Sequence, residues 1–174
     1  MKPRHLTSRF VRSLWPGPVR PADRDWAASI LTPAEFELWR RMPNHDQRHS
    51  AAVARRVDAA LAGTADADDP RWLEAALLHD VGKVDAELSV PGRVVATLVI
   101  AARGRTRVAE AAGSPGYRGR IARYSQHPDR GAALIEAAGG SPEAARWAAT
   151  HHHADGPPGI PDAVVAALRN ADDD

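Results

Sequence analysis

A recurring helix-start signal constrains the fold of this chain more than any other feature. A capping residue followed by proline occurs at Thr32-Pro33, at Asp69-Pro70 and at Ser141-Pro142. The side-chain oxygen of such a residue satisfies backbone N–H groups of the first turn, and proline fits that turn because its missing N–H is not needed there. Apolar residues then recur at helical spacing, and no segment of any length alternates as a strand would. The sequence therefore predicts an all-α fold.

The pattern predicts one domain of eight or nine helices, a single-domain bundle over residues 32–174, preceded by an extension over residues 1–31. Within that extension, Leu14 to Asp23 holds three prolines and one glycine and is expected to be an irregular connector rather than a helix. The third helix is expected to end at Gly82, which lies just past it. The longest helix is predicted from Pro91 to about Ala111, with four buried apolar residues: Val94, Val95, Leu98 and Val99. The remaining helices are expected at 32–43, 45–61, 69–80, 121–126, 129–138, 141–153 and 161–170.

Composition limits the chemistry. The chain has 174 residues, of which 44% are hydrophobic and 26% charged, so it is long enough for one compact core. It has no cysteine, which excludes disulfides, thiolate zinc sites and a cysteine nucleophile. A metal would have to be held by histidine and carboxylate, ligands that suit zinc, iron, manganese or nickel without choosing among them. A net charge of +1 gives no support to nucleic acid as the main partner.

The first twenty residues are basic and contain no acid; the basic residues are Lys2, Arg4, Arg9, Arg12 and Arg20. This pattern fits either a solvated terminus or a contact with an anionic partner or membrane surface. No run approaches the roughly 18 apolar residues of a membrane span. The stretch from Phe10 to Trp15 is too short and too charged for the core of a signal peptide. We therefore expect a cytoplasmic protein.

Histidines mark the predicted helix ends. His79-Asp80, His127 and the run His151–His153 lie there, while His45 and His49 share one helix face. The pair His79-Asp80 follows the apolar run 75–78, which would carry a charge into the interior. A buried charge is costly without a metal or an ionic partner, and an aspartate can bridge two metal ions. A helix that simply ends in polar residues before Gly82 is the alternative interpretation.

The segment Ala-Leu-Leu-His-Asp-Val-Gly-Lys, which ends at Lys83, resembles the signature of the HD superfamily of metal-dependent phosphohydrolases. The family pattern is a histidine, a His-Asp pair and a distant aspartate, all held in a helical bundle. The resemblance covers about Thr32 to the C-terminus. It implies an HD-type fold and four metal ligands, which here are His49, His79, Asp80 and Asp172.

The order of the remaining histidines is similar to the binuclear branch of that superfamily, which includes the HD-GYP phosphodiesterases. This similarity implies three further ligands, His127, His151 and His152, and two divalent ions, with iron or manganese favoured and zinc, nickel and magnesium left open. A hydroxide that bridges the two ions would attack a phosphoester. The resemblance implies catalytic roles for Asp80 and Lys83. Lys83, Arg48 and Arg130 are the candidates to bind the substrate phosphate, since guanidinium groups match phosphate oxygens.

Several roles stay open. His45 or His153 could add a ligand, and Asp155 and Asp173 are alternative acids for which solvation is the preferred interpretation. Further arginines could bind phosphate, and two tyrosines could stack on a base: Arg93, Arg118, Arg120, Arg123, Tyr117 and Tyr124. The HD-GYP branch has Gly-Tyr-Pro where this chain has Gly159-Ile160-Pro161. Specificity for cyclic di-GMP is therefore not expected to carry over.

The sequence thus favours a metal-dependent phosphohydrolase or phosphodiesterase acting on a nucleotide, a cyclic nucleotide or a small phosphoester. Two other functions stay open at this point. One is an HD-type di-iron oxygenase, because the ligand types suit that chemistry as well. The other is a non-catalytic module that binds a metal or a nucleotide, although the complete ligand set and Lys83 argue against it.

Overall fold

A computed structural model describes residues 17–153 and 155–173, and within these ranges the chain is all-α, with no strand. His5 and the basic residues before Gly17 lie outside the described residues. None of the described helices is both long and apolar enough to cross a membrane. The ten α-helices are α1 (Pro21–Ile30), α2 (Pro33–Arg40), α3 (Asn44–Leu61), α4 (Pro70–Leu78), α5 (Val90–Arg103), α6 (Arg105–Ala109), α7 (Gly116–Ser125), α8 (His127–Ala137), α9 (Pro142–Thr150) and α10 (Asp162–Asp173), and a 3-10 helix (Val81–Ala86) follows α4.

The three predicted cap-and-proline helix starts are confirmed. The Thr32 hydroxyl accepts a hydrogen bond from Glu35 N, and the Glu35 carboxylate accepts one from Thr32 N, which completes a capping box. The side chains of Asp69 and Ser141 cap α4 and α9 in the same way. These caps are local in sequence, so they fix where the two helices that lead to His79 and His151 begin.

The main core lies among α1 to α4 and α8 to α10. Helix α4 packs between α3 and α9, and α10 packs on α3. Five of the largest fully buried side chains come from five different helices: Trp39, Leu77, Ile135, Trp147 and Leu168. Burial of each such side chain contributes roughly 1.5–3 kcal/mol. The packing therefore holds the ends of α4 and α9, and the start of α8, in one place.

A second, smaller cluster lies among α5, α6 and α7, and it differs from the sequence prediction. The helix expected from 91 to 111 is divided at Gly104, whose φ of 82° lies in the left-handed region that glycine tolerates. Helix α5 buries Gly92, Arg93 and Ala96 instead of its valines and leucine.

Four apolar residues of α5 were predicted to be buried. The prediction is wrong for three of them, and the fourth, Val99, is partly buried. Val94 is 41% exposed, Val95 44% and Leu98 65%. The physical reason is the contact that orients the helix. The buried Arg93 guanidinium donates to both oxygens of Asp46 on α3, each at 2.7 Å, so this side of α5 faces the protein.

The N-terminal segment also differs from its prediction. Helix α1 begins at Pro21, inside the segment from Leu14 to Asp23 that was expected to be irregular; residues 14–16 of it lie outside the described residues. Proline is favoured at the first helical position, so it starts this helix rather than preventing it. Ala27 is buried in the main core, and Trp26 packs against that core.

The predicted break of the helix near Gly82 is confirmed, since α4 ends at Leu78, but Gly82 itself lies inside the 3-10 helix. Its role is a close backbone approach to the start of α8. A Cβ atom at Gly82 would lie 2.5 Å from Gly131 N and would also clash with the carbonyl oxygen of His127. Glycine at this position therefore lets His79-Asp80 approach His127 closely.

Candidate metal centre

The structure brings all seven predicted metal ligands together at the meeting point of five helices. His49 lies within α3, His79 and Asp80 follow α4, His127 begins α8, His151 and His152 follow α9, and Asp172 lies near the end of α10. Six of these residues form two groups, and within each group the ligand atoms lie within 4.8 Å of one another. The first group comprises His49, His79 and Asp172, and the second group comprises His127, His151 and His152.

The first group joins residues that are far apart in the sequence. His49 Nε2 lies 2.9 Å from Asp172 Oδ1, and His79 Nε2 lies 3.7 Å from the same oxygen. Helix α10 is held on α3 by packing and by a hydrogen bond from Arg56 Nη1 to the carbonyl oxygen of Ala171, at 2.7 Å. The contact between α3 and α10 therefore assembles this group.

The second group is built from two adjacent helices and contains only imidazoles. His127 Nε2 and His152 Nε2 lie 3.1 Å apart, and the ring centroids of His151 and His152 are 3.9 Å apart. His127 and His151 are buried, whereas His152 is exposed. Helices α8 and α9 pack closely and are joined by a short turn, so this group needs no long-range contact between its own members.

The carboxylate of Asp80 lies between the two groups. Its Oδ2 atom lies 3.4 Å from His79 Nε2 in the first group. Its Oδ1 atom lies 3.7 Å from both His127 Nε2 and His151 Nε2 in the second group. Each oxygen of one carboxylate thus faces a different group, which is the arrangement by which an aspartate bridges two ions.

Three backbone carbonyls fix the orientation of the histidine rings. The Nδ1 atoms of His79, His127 and His151 lie 2.9, 2.8 and 2.8 Å from the carbonyl oxygens three residues earlier in the chain. An Nδ1–H that donates to a carbonyl leaves the Nε2 lone pair free to bind a metal. The three Nε2 atoms consequently face the interior of the site.

Several of these inward-facing atoms are buried without a hydrogen-bond partner. The described residues contain five such side-chain atoms, and three of them are His79 Nε2, His151 Nε2 and Asp80 Oδ1. Buried polar atoms in folded proteins are nearly always paired, so three unpaired polar atoms at one point indicate a place for a partner that the protein itself does not supply. Imidazole nitrogens and carboxylate oxygens are atoms that bind divalent metal ions, so these residues fit a pair of such ions.

The histidines of the second group are neutral near pH 7. Burial is the main cause, also for His152, whose ring packs against those of His127 and His151 although the residue as a whole is exposed. The positive charge of Lys83 adds to it for all three, and that of His79 adds to it for His151. The pKa of His127 falls well below its usual range, that of His151 falls to about 3, and that of His152 falls to about 4. Imidazole binds a metal only in its neutral form, so these three side chains are already in the state that coordination requires.

The first group has the opposite electrostatics. Burial disfavours a charged His79, but the carboxylates of Asp80 and Asp172 outweigh burial and raise its pKa to about 9. Burial likewise opposes ionisation of Asp172, yet its hydrogen bond with His49 and the charge of His79 hold the Asp172 pKa well below its usual range. A proton on His79 thus occupies the place that a metal cation would take.

Lys83 lies beside Asp80 because the 3-10 helix turns its side chain back toward the site. Its Nζ atom donates to Asp80 Oδ2 at 2.5 Å, and the ammonium group is largely screened from solvent. Burial opposes this charge, but the Asp80 carboxylate raises the pKa of Lys83 above its usual value. The same contact helps to hold the pKa of Asp80 well below its usual range, against burial.

The two arginines predicted to bind substrate already have protein partners. Arg48 donates to the carbonyl oxygen of Gly17, and Arg130 donates to Asp85 Oδ2 at 3.0 Å. A role in binding substrate therefore stays a prediction for both, and it would require each guanidinium to exchange or share its partner.

The other open candidates lie outside both groups. His45 Nε2 lies 3.0 Å from Arg93 Nη1 and 3.2 Å from Asp46 Oδ1, and His153 is exposed. Asp155 is exposed as well.

A cavity of about 310 Å³ opens beside the centre and is lined by Trp147, His151, His152, His153, Arg169, Asp172 and Asp173.

Sequence reasoning missed the ion pair between Asp46 and Arg93, which anchors α5 beside the centre. Both residues are buried, and no spacing signal separates them from the many surface charges of the chain. The proline-glycine step before Arg93 marks only a helix start.

Comparison with known proteins finds no family model, no curated protein and no solved structure that matches this chain.

Proposed function

We propose that this protein is a metal-dependent phosphohydrolase or phosphodiesterase of the HD type, which cleaves a nucleotide, a cyclic nucleotide or a small phosphoester. One observation carries the proposal. The carboxylate of Asp80 points one oxygen at each of two ligand groups whose Nε2 atoms face inward. Two three-residue groups joined by one carboxylate match the requirement of a two-metal hydrolytic site.

Each of the two ligand groups would hold one ion. His49, His79 and Asp172 with Asp80 Oδ2 would hold one ion, and His127, His151 and His152 with Asp80 Oδ1 would hold the other. Mixed imidazole and carboxylate donors suit iron or manganese, and also zinc or nickel. Ions held by these residues would supply Lewis acidity, which would lower the pKa of a water molecule toward neutrality and offset the charge of the phosphate oxygens.

The protein's own residues supply position and charge. Lys83 fixes the rotamer of Asp80 through its 2.5 Å hydrogen bond and holds a positive charge where the charge on the phosphate increases during the reaction. The carbonyls of Ala76, Tyr124 and Ala148 hold three imidazoles in their orientation. Preorganised donors of this kind stabilise a transition state without having to reorganise as the reaction proceeds.

The cavity beside the centre bears on the size of the substrate. Its volume of about 310 Å³ lies at the lower end of small-molecule sites, which span roughly 300–1,000 Å³. A mononucleotide or small phosphoester fits this volume better than a cyclic dinucleotide does. Ile160, which stands where the HD-GYP enzymes have tyrosine, is buried in the main core and offers no side chain to a substrate.

The test combines metal analysis with a generic phosphodiester. Purified protein is analysed for bound metal and assayed with bis-p-nitrophenyl phosphate in the presence of manganese or ferrous iron. We expect two ions per chain and metal-dependent turnover. Asp80→Ala should lose both ions and reduce turnover by about 10³-fold. Asp155→Ala, an exposed acid only a few residues past His152, is the matched control and should retain both.

Two results would overturn the proposal. Wild-type protein that binds no divalent metal would remove its basis. Protein that binds two irons, fails to hydrolyse a panel of phosphoesters and consumes oxygen with an organic substrate would be an oxygenase instead.

A further inference from the structure

A second and larger cavity lies among α5, α6 and α7, apart from the metal centre. Its volume is about 920 Å³, and none of the seven candidate metal ligands lines it. Its apolar surface comes from Val99, Val108 and Ile121 and from neighbouring alanines. This volume lies within the range of small-molecule sites, whose walls are mostly apolar with a few polar groups.

The arginines of this cavity differ from most of the others in the described ranges. Most of those elsewhere form a hydrogen bond or an ion pair with a carboxylate or a carbonyl, as Arg93 and Arg130 do. Four arginine side chains have neither a hydrogen bond nor an ion pair with any described residue, and three of the four line this cavity: Arg103, Arg107 and Arg118, with Arg24 elsewhere. One acid, Glu110, also lines it, so the lining keeps a net positive charge.

An aromatic ring completes the lining. Tyr117 is 48% exposed, and its hydroxyl donates to the carbonyl oxygen of Gly92 at 3.3 Å, which holds the ring against α5. An exposed ring beside unpaired guanidinium groups contributes little to folding. Together they offer an apolar face for a ring and forked donors for phosphate oxygens.

We propose that this cavity binds an organic phosphate of nucleotide size. Arg103, Arg107 and Arg118 would hold the phosphates, and Tyr117 with the apolar floor would hold the organic part. Charge complementarity selects an anion, and the concave apolar surface selects one that carries more than phosphate. This inference does not rest on the metal centre or on the proposed hydrolysis.

The test uses the fluorescent nucleotide N-methylanthraniloyl-ADP, without divalent metal and in the presence of a chelator. Binding is measured on the wild-type chain and on Asp80→Ala, so that an intact metal centre is not required for the signal. We expect saturable binding to both proteins. Unlabelled ADP should displace the probe, whereas adenosine and pyrophosphate should each compete at least about tenfold more weakly.

Two variants separate the cavity from general positive charge. The triple variant Arg103→Gln, Arg107→Gln, Arg118→Gln should bind at least about tenfold more weakly, since each lost arginine removes a charge-assisted contact. Arg24→Gln removes the one arginine outside the cavity that is unpaired within the described ranges, and it should bind like wild type. Tyr117→Ala should weaken the binding of ADP more than the binding of pyrophosphate. Circular dichroism melting curves establish that all variants fold.

Four results would overturn the inference: no saturable binding up to about 1 mM probe, a folded triple variant that binds like wild type, pyrophosphate that competes as well as ADP, or loss of binding in Asp80→Ala alone. Vesicles of anionic lipid provide a last arm. If the wild type sediments with vesicles through these arginines and ADP does not compete, the surface is a membrane contact and the proposal fails.

Discussion

The first group of the candidate metal centre holds a proton and a carboxylate, whereas the second group consists of three neutral imidazoles. His79 and His151 are both buried, yet the pKa of His79 is raised to about 9 and that of His151 is lowered to about 3. The difference comes from neighbouring charge. His79 lies near two carboxylates, while His151 lies near the positive charge of His79 itself and faces only Asp80. Burial sets the sensitivity of a histidine to charge, and its neighbours set the direction.

The two groups also differ in how the chain builds them. The first needs Asp172, far along the chain from His49 and near its end, to reach α3. The second is formed by the start of α8 and the end of α9, which are consecutive helices. The first group should therefore be lost independently of the second when the contact at α10 is removed.

The largest expected effect comes from breaking the first group alone. Removal of residues 172–174, or Asp172→Ala, should reduce bound metal from two ions to one and lower turnover by about 10³-fold, because the first ion loses its charged ligand. Asp173→Ala changes the neighbouring exposed acid and should keep two ions. Metal analysis of the three purified proteins decides the matter. Two ions in the truncated chain would show that Asp172 is not a ligand.

Gly82→Ala tests the backbone approach on which the second group depends. The added Cβ would meet the backbone of His127 and Gly131, which cannot move aside as a flexible side chain can. We expect a loss of about 3 kcal/mol in the free energy of unfolding, measured by urea denaturation. Gly113→Ala is the matched control, since its Cβ would meet nothing within 4 Å. Equal stability of the two variants would contradict the close packing at Gly82.

Proton release on metal binding should distinguish the groups directly. At pH 7 the ion in the first group must displace a proton from His79, so its affinity should rise about tenfold per pH unit up to a pH of about 9. His151 and His152 hold no proton above a pH of about 4, so the second ion should release none from them. Calorimetric titration in two buffers of different ionisation enthalpy measures this. Equal proton release at both sites would refute the electrostatic contrast.

The smallest effect is a change in the stability of the fold between a pH of about 4.5 and a pH of about 7. It must be separated from the pH dependence of metal binding. Glu74 accepts a hydrogen bond from Ser141 N at 2.7 Å, and burial, together with the hydrogen bond that its protonated form donates to Glu35, raises its pKa to about 7. Since the folded state holds this proton more tightly than the unfolded state, the contribution of Glu74 to stability is greatest below a pH of about 4.5. It should decline as the pH rises to about 7, by roughly 2 kcal/mol after solvent screening.

Glu74→Gln should abolish that decline, because the amide can accept from Ser141 N and donate to Glu35 without titrating. The matched control is Glu37→Gln, which changes an exposed glutamate paired with Arg40 and should leave the decline intact. Denaturation of metal-free protein at pH 5 and pH 7.5 gives the comparison. A decline that persists in Glu74→Gln would assign it to another group.

Much of the fold followed from local signals. The hydroxyl of Thr32 and the carboxylate of Asp69 cap the helices predicted at those positions, because a cap involves residues only two or three apart in the chain. The exposed face of α5 could not be predicted in this way. Its orientation depends on Arg93 reaching Asp46, a contact 47 residues away that no helical periodicity encodes. Leu98 is exposed for that reason, although its pattern alone predicts burial.

The sequence by itself determined which residues can serve as ligands and that most of them occur near the ends of helices, since identity and periodicity are local properties. Only the tertiary structure decided that Asp80 faces both groups, that His153 and His45 lie outside them, and that Arg48 and Arg130 have protein partners. It also decided that His79 holds a proton while the histidines of the second group do not. Those outcomes depend on distances of 3 to 4 Å between residues far apart in the chain, and packing rather than local preference sets such distances.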